Sequence, residues 1–180
     1  MQGFVNFADD IGQAISVILP GLCYLLGLSF VLGAGWGMWQ LSSGRHGRLS
    51  ARPWMPFVTL FIGAALLTFD RMLNLGEATF GSTQQASVVA GMTSYTPPTV
   101  NANGLVGTSP DQTILNIIGV FQYFFVSYGA LIVLMGILGL HQVSEGKRRH
   151  GPALPTIMIV FGFGVMNIDT IAPFIMSYFT

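Results

Sequence analysis

Charge is what this chain has least of. Its 180 residues include seven Lys and Arg and seven Asp and Glu, so only 8% are charged and the net charge is zero. Soluble domains carry about 25% charged residues, and so small a share cannot cover a water-facing surface. With 52% hydrophobic residues and a mean hydropathy of +0.64, the class is integral membrane protein. Cysteine is nearly missing too. Cys23 stands alone, which excludes an intrachain disulfide, and its place in an apolar run makes it a small core residue rather than a reactive thiol.

Catalytic and cofactor patterns are also missing. No Ser, His and Asp set and no phosphate-cradling glycine loop can be read, and His46, His141 and His150 lack a carboxylate or cysteine spacing that suits a metal. The expectation is a non-enzyme without cofactor or metal, apart from bound phospholipid. The opening "MQGFVNFADDIGQ" carries no Lys or Arg, so a cleavable signal peptide is not expected and the start is read as retained.

Long apolar runs are what remains. They fall at roughly 21–41, 54–69, 114–140 and 155–179, and each approaches or exceeds the ~20 helical residues that cross a bilayer. The second is the shortest and is expected to extend past Asp70 to Leu75. Before them, Phe4, Phe7, Ala8, Ile11, Ala14, Ile15 and Ile18 recur at helical spacing, opposite Asp9 and Asp10. This predicts an amphipathic helix over 1–20, lying in the membrane interface before Pro20.

The few cations are not scattered. Arg45, Arg48 and Arg52 share one short break and Lys147, Arg148 and Arg149 another, leaving Arg71 apart. Retention of Lys and Arg on the cytoplasmic side predicts four all-α crossings with both termini outside. Trp36, Trp39 and Trp54 flank the first basic break, as interfacial anchors do. From Ala78 through Pro110 no residue is charged, and this stretch, rich in Ser, Thr, Asn, Gly and Pro, is expected to pack on itself or on a neighbouring subunit. In "SPDQT", Ser109 is the expected N-cap, Pro110 the first helical residue and Asp111 a partner for the helix dipole.

The two basic breaks are copies of each other. "WQLSSGRHGR" and "HQVSEGKRRH" align at an offset of 102, pairing Gln40 with Gln142, Ser42 with Ser144, Gly44 with Gly146 and Arg45 with Lys147. The match extends back through Gly27 with Gly129, Val31 with Val133, Leu32 with Leu134 and Gly37 with Gly139. Beyond the breaks the offset becomes 99, pairing Pro56 with Pro155, Gly63 with Gly162 and Asp70 with Asp169. The chain therefore divides into an interfacial helix (1–20), a first hairpin (21–75), an uncharged outer loop (76–111) and a second hairpin (112–180), duplicated in the same orientation.

Two further residue sets stand out. Ser29, Gly33 and Gly37 repeat every four residues, and Gly136 with Gly139 and Gly162 with Gly164 give the second unit comparable small surfaces. Small residues let helices approach closely in lipid, either within a hairpin or between subunits. Asp70 and Asp169 each follow their proline by fourteen residues, about 21 Å of straight helix, near the outer edge of the hydrocarbon. They are read as structural carboxylates, Asp70 beside Arg71, with an ion or proton path as the alternative.

With duplicated hairpins and a "QxSxG[RK]" loop in both halves, most of the chain resembles the family that includes the TraQ, IcmC/DotE and DotV proteins. These are small inner-membrane components of conjugation and type IVB secretion systems. Each half also resembles a conjugative pilin in plan: two apolar helices joined by a basic loop. The resemblance implies a bacterial inner-membrane protein that self-assembles, as a pilus subunit extracted into an extracellular filament or as an unpolymerised scaffold. It further implies that Arg45, His46, Arg48, Lys147, Arg148 and Arg149 meet phospholipid heads or a lumen. The implied partners are copies of itself, phospholipid and other secretion-system subunits, without sequence-specific binding of nucleic acid. Two hairpins and a long uncharged loop depart from the pilin plan. From a different class, a small ion or proton channel using Asp70 and Asp169 is the remaining reading.

Overall fold

The computed structural model describes residues 2–44, 52–79, 109–147 and 151–178, and among these every regular element is a helix. The elements are α1 (Gln2–Ser42), α2 (Met55–Leu67), α3 (Phe69–Thr79), α4 (Pro110–Val120), α5 (Gln122–Ser144), α6 (Ala153–Met166) and α7 (Ile168–Met176).

The expected interfacial helix is not a separate element. It is the first half of α1, which runs unbroken for 41 residues with Pro20 inside it. Proline removes one backbone donor, yet the helix continues through it, with buried residues on either side. Just before Pro20 the Ser16 hydroxyl accepts from Tyr123 Oη at 2.8 Å, and on either side of the proline Leu19 and Cys23 are buried in the core cluster that includes Val126 and Ala130 of α5. At 1.5 Å per residue α1 is about 61 Å long, roughly twice the thickness of a hydrocarbon core. The third helix starts as expected, with the Ser109 hydroxyl accepting from the Gln112 amide at 3.3 Å and Pro110 in the first turn. It is interrupted at Phe121, which separates α4 from α5.

Two helices, α1 and α5, are long and apolar enough to cross a membrane, and the number rises to four if each of two bent pairs counts as one span. The straight crossings expected over 54–75 and 155–179 are corrected. Helix α2 ends at Leu67 and α3 leaves it at 79°, while α6 ends at Met166 and α7 leaves it at 81°. Their straight legs, 13 and 14 residues, are about 20 Å long, so each would cross a core of ~30 Å only as a bent pair taken as one span. The two breaks fall at equivalent residues and share a local feature. Thr68 Oγ1 donates to the Ala64 carbonyl at 3.0 Å, and Asn167 Nδ2 donates to the Phe163 carbonyl at 2.9 Å. Such back-bonding competes weakly with the helical ladder, and since Ser29 and Thr59 do the same inside unbroken helices it accompanies these sharp turns rather than accounting for them.

Duplication is written into the packing as well as the sequence. A Cβ added at Gly27 would lie 3.0 Å from the Gly63 carbonyl, and one at Gly63 would lie 3.0 Å from the Gly27 carbonyl and Val31. In the second unit, a Cβ at Gly129 would meet the Gly162 carbonyl at 2.7 Å, and one at Gly162 the Gly129 carbonyl at 2.8 Å and Val133 Cγ2 at 2.7 Å. These are the residues that pair at the two offsets. The turns agree too: Ser42 and Ser144 hydroxyls donate to the Trp39 and His141 carbonyls, and Gly44 and Gly146 take the left-handed conformation, with φ of 67° and 73°. Glycine adopts that region without steric cost, which closes both helix ends alike.

Hairpins α1/α2 and α5/α6 then pack side by side, with α5 central. Ser16 meets Tyr123 and Phe30 meets His141, so α1 and α5 run in the same direction. The two units are parallel repeats, and both hairpin turns lie at one end.

Candidate functional site

Among the described residues, the shared end of the hairpins carries the cations Arg52 and Lys147. Gly44 and Gly146 mark where each turn begins, and the exposed Trp36, Trp39 and Trp54 surround the first, with Trp36 and Trp39 ring centroids 5.0 Å apart. The Arg52 guanidinium lies 6.0 Å from the Trp54 ring centroid, within range of cation–π attraction. Indole rings beside cations at one level suit the headgroup zone of a bilayer. Of the six residues assigned to lipid or lumen contact, Lys147 alone is among the described residues; Arg45, His46, Arg48, Arg148 and Arg149 lie outside them.

Lys147 is exposed and ion-pairs with Glu145, whose other oxygen is 3.6 Å from His141 Nε2. Sequence reasoning missed this set. Its signal was the i, i+4 spacing of His141 and Glu145 in "HQVSE", which puts both on one helix face. His141 is buried, with its ring centroid 4.4 Å from that of Phe30, so it joins the hairpin contact rather than the open basic surface. Buried Glu77, on α3, was also missed. Among the described residues no group of three or more His, Cys, Asp and Glu side chains could hold a metal ion.

The small residues divide between roles. Gly136 and Gly162 sit in the α5/α6 seam, where a Cβ at Gly136 would come within 3.0 Å of the Pro155 carbonyl. Gly139 is buried, whereas a Cβ at Gly164 would meet nothing within 4 Å. Ser29, Gly33 and Gly37 do not share one buried face: Ser29 is exposed with its hydroxyl bonded to the Leu25 carbonyl, Gly33 is half-buried and Gly37 is buried. A four-residue repeat drifts about 40° per step around a 3.6-residue helix, which rotates the stripe out of register. The close seam of the first hairpin is instead built on Gly27 and Gly63.

The two carboxylates sit past the bends, in the first turns of α3 and α7, where a helix N-terminus favours negative charge. Asp169 also accepts from Gln122 Nε2 at 2.8 Å. The residue equivalent to Gln122 is Pro20, which has no amide side chain, and among the described residues no ion pair joins Asp70 to Arg71. Gln122→Leu is therefore expected to destabilise the second hairpin by about 0.5–1.5 kcal/mol, the net worth of one part-buried hydrogen bond. Thermal unfolding in detergent reads this; an unchanged midpoint would mean that water replaces the amide.

Among the described residues, Arg52, Lys147 and exposed indoles therefore stand at one end, with closely packed apolar helices behind them. Compared with protein-family models, curated proteins and solved structures, the chain matches none.

Proposed function

We propose that the protein is a structural membrane subunit that self-assembles, with the basic turns of both hairpins meeting phosphate-bearing lipid heads. The observation that carries this reading is the parallel placement of two glycine-seamed hairpins with their cationic turns at the same end. Charge-assisted contacts from Arg and Lys to phosphate are strong, and the surrounding indoles suit the same depth. Four crossings with both termini outside are the topology that retention of those cations predicts.

Its place in a conjugative or type IVB secretion apparatus, as a pilus subunit, rests on the resemblance of plan and loop pattern. A hydrophobic subunit that leaves the bilayer must cover its apolar surface with neighbours or with accompanying lipid. Phospholipid carried between subunits would serve both the exposed apolar helices and the cations.

The purified protein in lipid is expected to form rings or filaments with phospholipid bound, and to occur in sheared extracellular material. Assembly confined to the inner membrane would favour the scaffold role, and a monodisperse monomer would overturn self-assembly. Proteoliposome flux that disappears in the Asp70→Asn, Asp169→Asn double variant would instead support the channel.

A further inference from the structure

The duplicated hairpins meet through surfaces that each copy carries twice, and only one of each is covered. Along α5, Tyr123, Ser127, Ala130, Leu134, Ile137 and His141 follow the alternating three- and four-residue spacing of a helix–helix seam, and all six are buried. Tyr123 bonds Ser16 and His141 contacts Phe30, so this seam is where the second hairpin receives the first. At the offset of 102 its equivalents on α1 are Gly21, Leu25, Leu28, Leu32, Gly35 and Trp39, and all six are exposed. Leu134 is 4% exposed and its twin Leu32 is 65% exposed, while His141 is 7% exposed and Trp39 47%.

The opposite surface shows the same imbalance. Helix α2 packs on α5, and its Ile62, 7% exposed, shares one core cluster with Leu134 and Ile137. The equivalent residue on α6, Phe161, is 61% exposed. Each chain thus presents an uncovered receiving seam on its first hairpin and, on its second, an inserting face on which Phe161 is exposed and Ile118 and Ile132 are half-buried. Repetition of the internal contact between chains satisfies both at once.

We infer that copies join head to tail, the second hairpin of one chain seating on the α1 seam of the next as the first hairpin seats on α5 within a chain. This inference rests on the self-assembling reading above and names the surfaces that carry it. Such a contact is heterologous, using two different patches, so it closes into a ring or continues as a helical filament according to the rotation per copy. In lipid the association would be driven by helix packing, as it is between the hairpins themselves. The uncovered α1 seam would otherwise face acyl chains, and the test separates that outcome.

Translation of the Phe30–His141 contact by the repeat brings Ile132 of one copy to Trp39 of the next. Trp39→Cys and Ile132→Cys, each in a Cys23→Ala background, would be co-expressed and treated in the membrane with a short bismaleimide. Cross-linked dimers are expected when both variants are present and not with either alone, because neither chain holds both thiols. One chain carrying both cysteines should give a ladder of dimers, trimers and larger species, and Leu32→Trp should abolish that ladder while leaving the thermal midpoint of the monomer unchanged. Native mass spectrometry of the unmodified chain, run beside it, keeps the two readings apart. Large assemblies without the mixed cross-link would overturn the head-to-tail surfaces and spare self-assembly. Dimers from Trp39→Cys alone would show a two-fold contact and overturn them as well. A monomer in lipid would overturn both.

Discussion

Gly129→Ala is expected to lower the thermal midpoint of the protein in detergent or lipid more than the same change at Gly27. At Gly129 a methyl group would lie 2.5 Å from Met166 Cγ, 2.7 Å from the Gly162 carbonyl and 2.9 Å from the Met166 amide nitrogen. Two of these three neighbours are backbone, so α5 and α6 must separate. Overpacking of this kind costs about 1–3 kcal/mol. The replacement of glycine by alanine inside a helix returns about 0.8–1.0 kcal/mol. The balance at Gly129 is unfavourable. At Gly27 the contacts open to 3.0–3.1 Å and two of them belong to the Leu67 side chain, which can yield, so the two effects nearly cancel there. Gly119 and Gly164 have nothing within 4 Å, and alanine at either should be neutral or stabilising. Gly129→Leu should separate the second hairpin altogether, seen as protease sensitivity of α6. Equal midpoints for all four alanine variants would refute the glycine seam.

Replacement of Arg45, Arg48, Lys147, Arg148 and Arg149 together by Gln is expected to strip bound anionic phospholipid and to impair assembly or transfer, with membrane insertion still detectable. Each cation near an anionic leaflet contributes about 1 kcal/mol, so five together amount to about 5 kcal/mol. The apolar helices that drive insertion are untouched. The Glu145 carboxylate, paired with Lys147, would gain exposure and add repulsion toward phosphate. The readouts are phospholipid phosphorus per protein after purification, and the fraction that resists carbonate extraction from membranes. A variant with Lys at all five positions should keep both properties, because the contact is a matter of charge. Full lipid content in the Gln variant would limit the basic turns to setting orientation.

Much of this was legible in the chain before its structure. The membrane class followed from the scarcity of charge, and the start of α4 followed from Ser109, Pro110 and Asp111, each in the role its chemistry suits. The duplication could be read from Gly27, Gly63 and their partners because those glycines sit where two helix backbones approach closely, and from Val31 and Val133, which lie against the glycine of the facing helix. The bends were not read. Thr68 and Asn167 lie inside apolar runs, and each is followed two residues later by an acid that favours a new helix N-terminus, a signal that hydropathy alone conceals. Pro20 left the continuity of the first helix undecided, since proline weakens a helix locally while long-range packing decides whether the rod breaks.

Sequence by itself determined the all-helical membrane character, the repeat and its two basic turns, because composition and residue pairing are properties of the chain. Tertiary structure decided how the two parallel hairpins meet, that the carboxylates stand beyond sharp bends, and which copy of each repeated face is covered. Those outcomes depend on which helix lies beside which. Equivalent residues such as Leu32 and Leu134 have identical side chains, and only their neighbours make one a surface residue and the other part of the core.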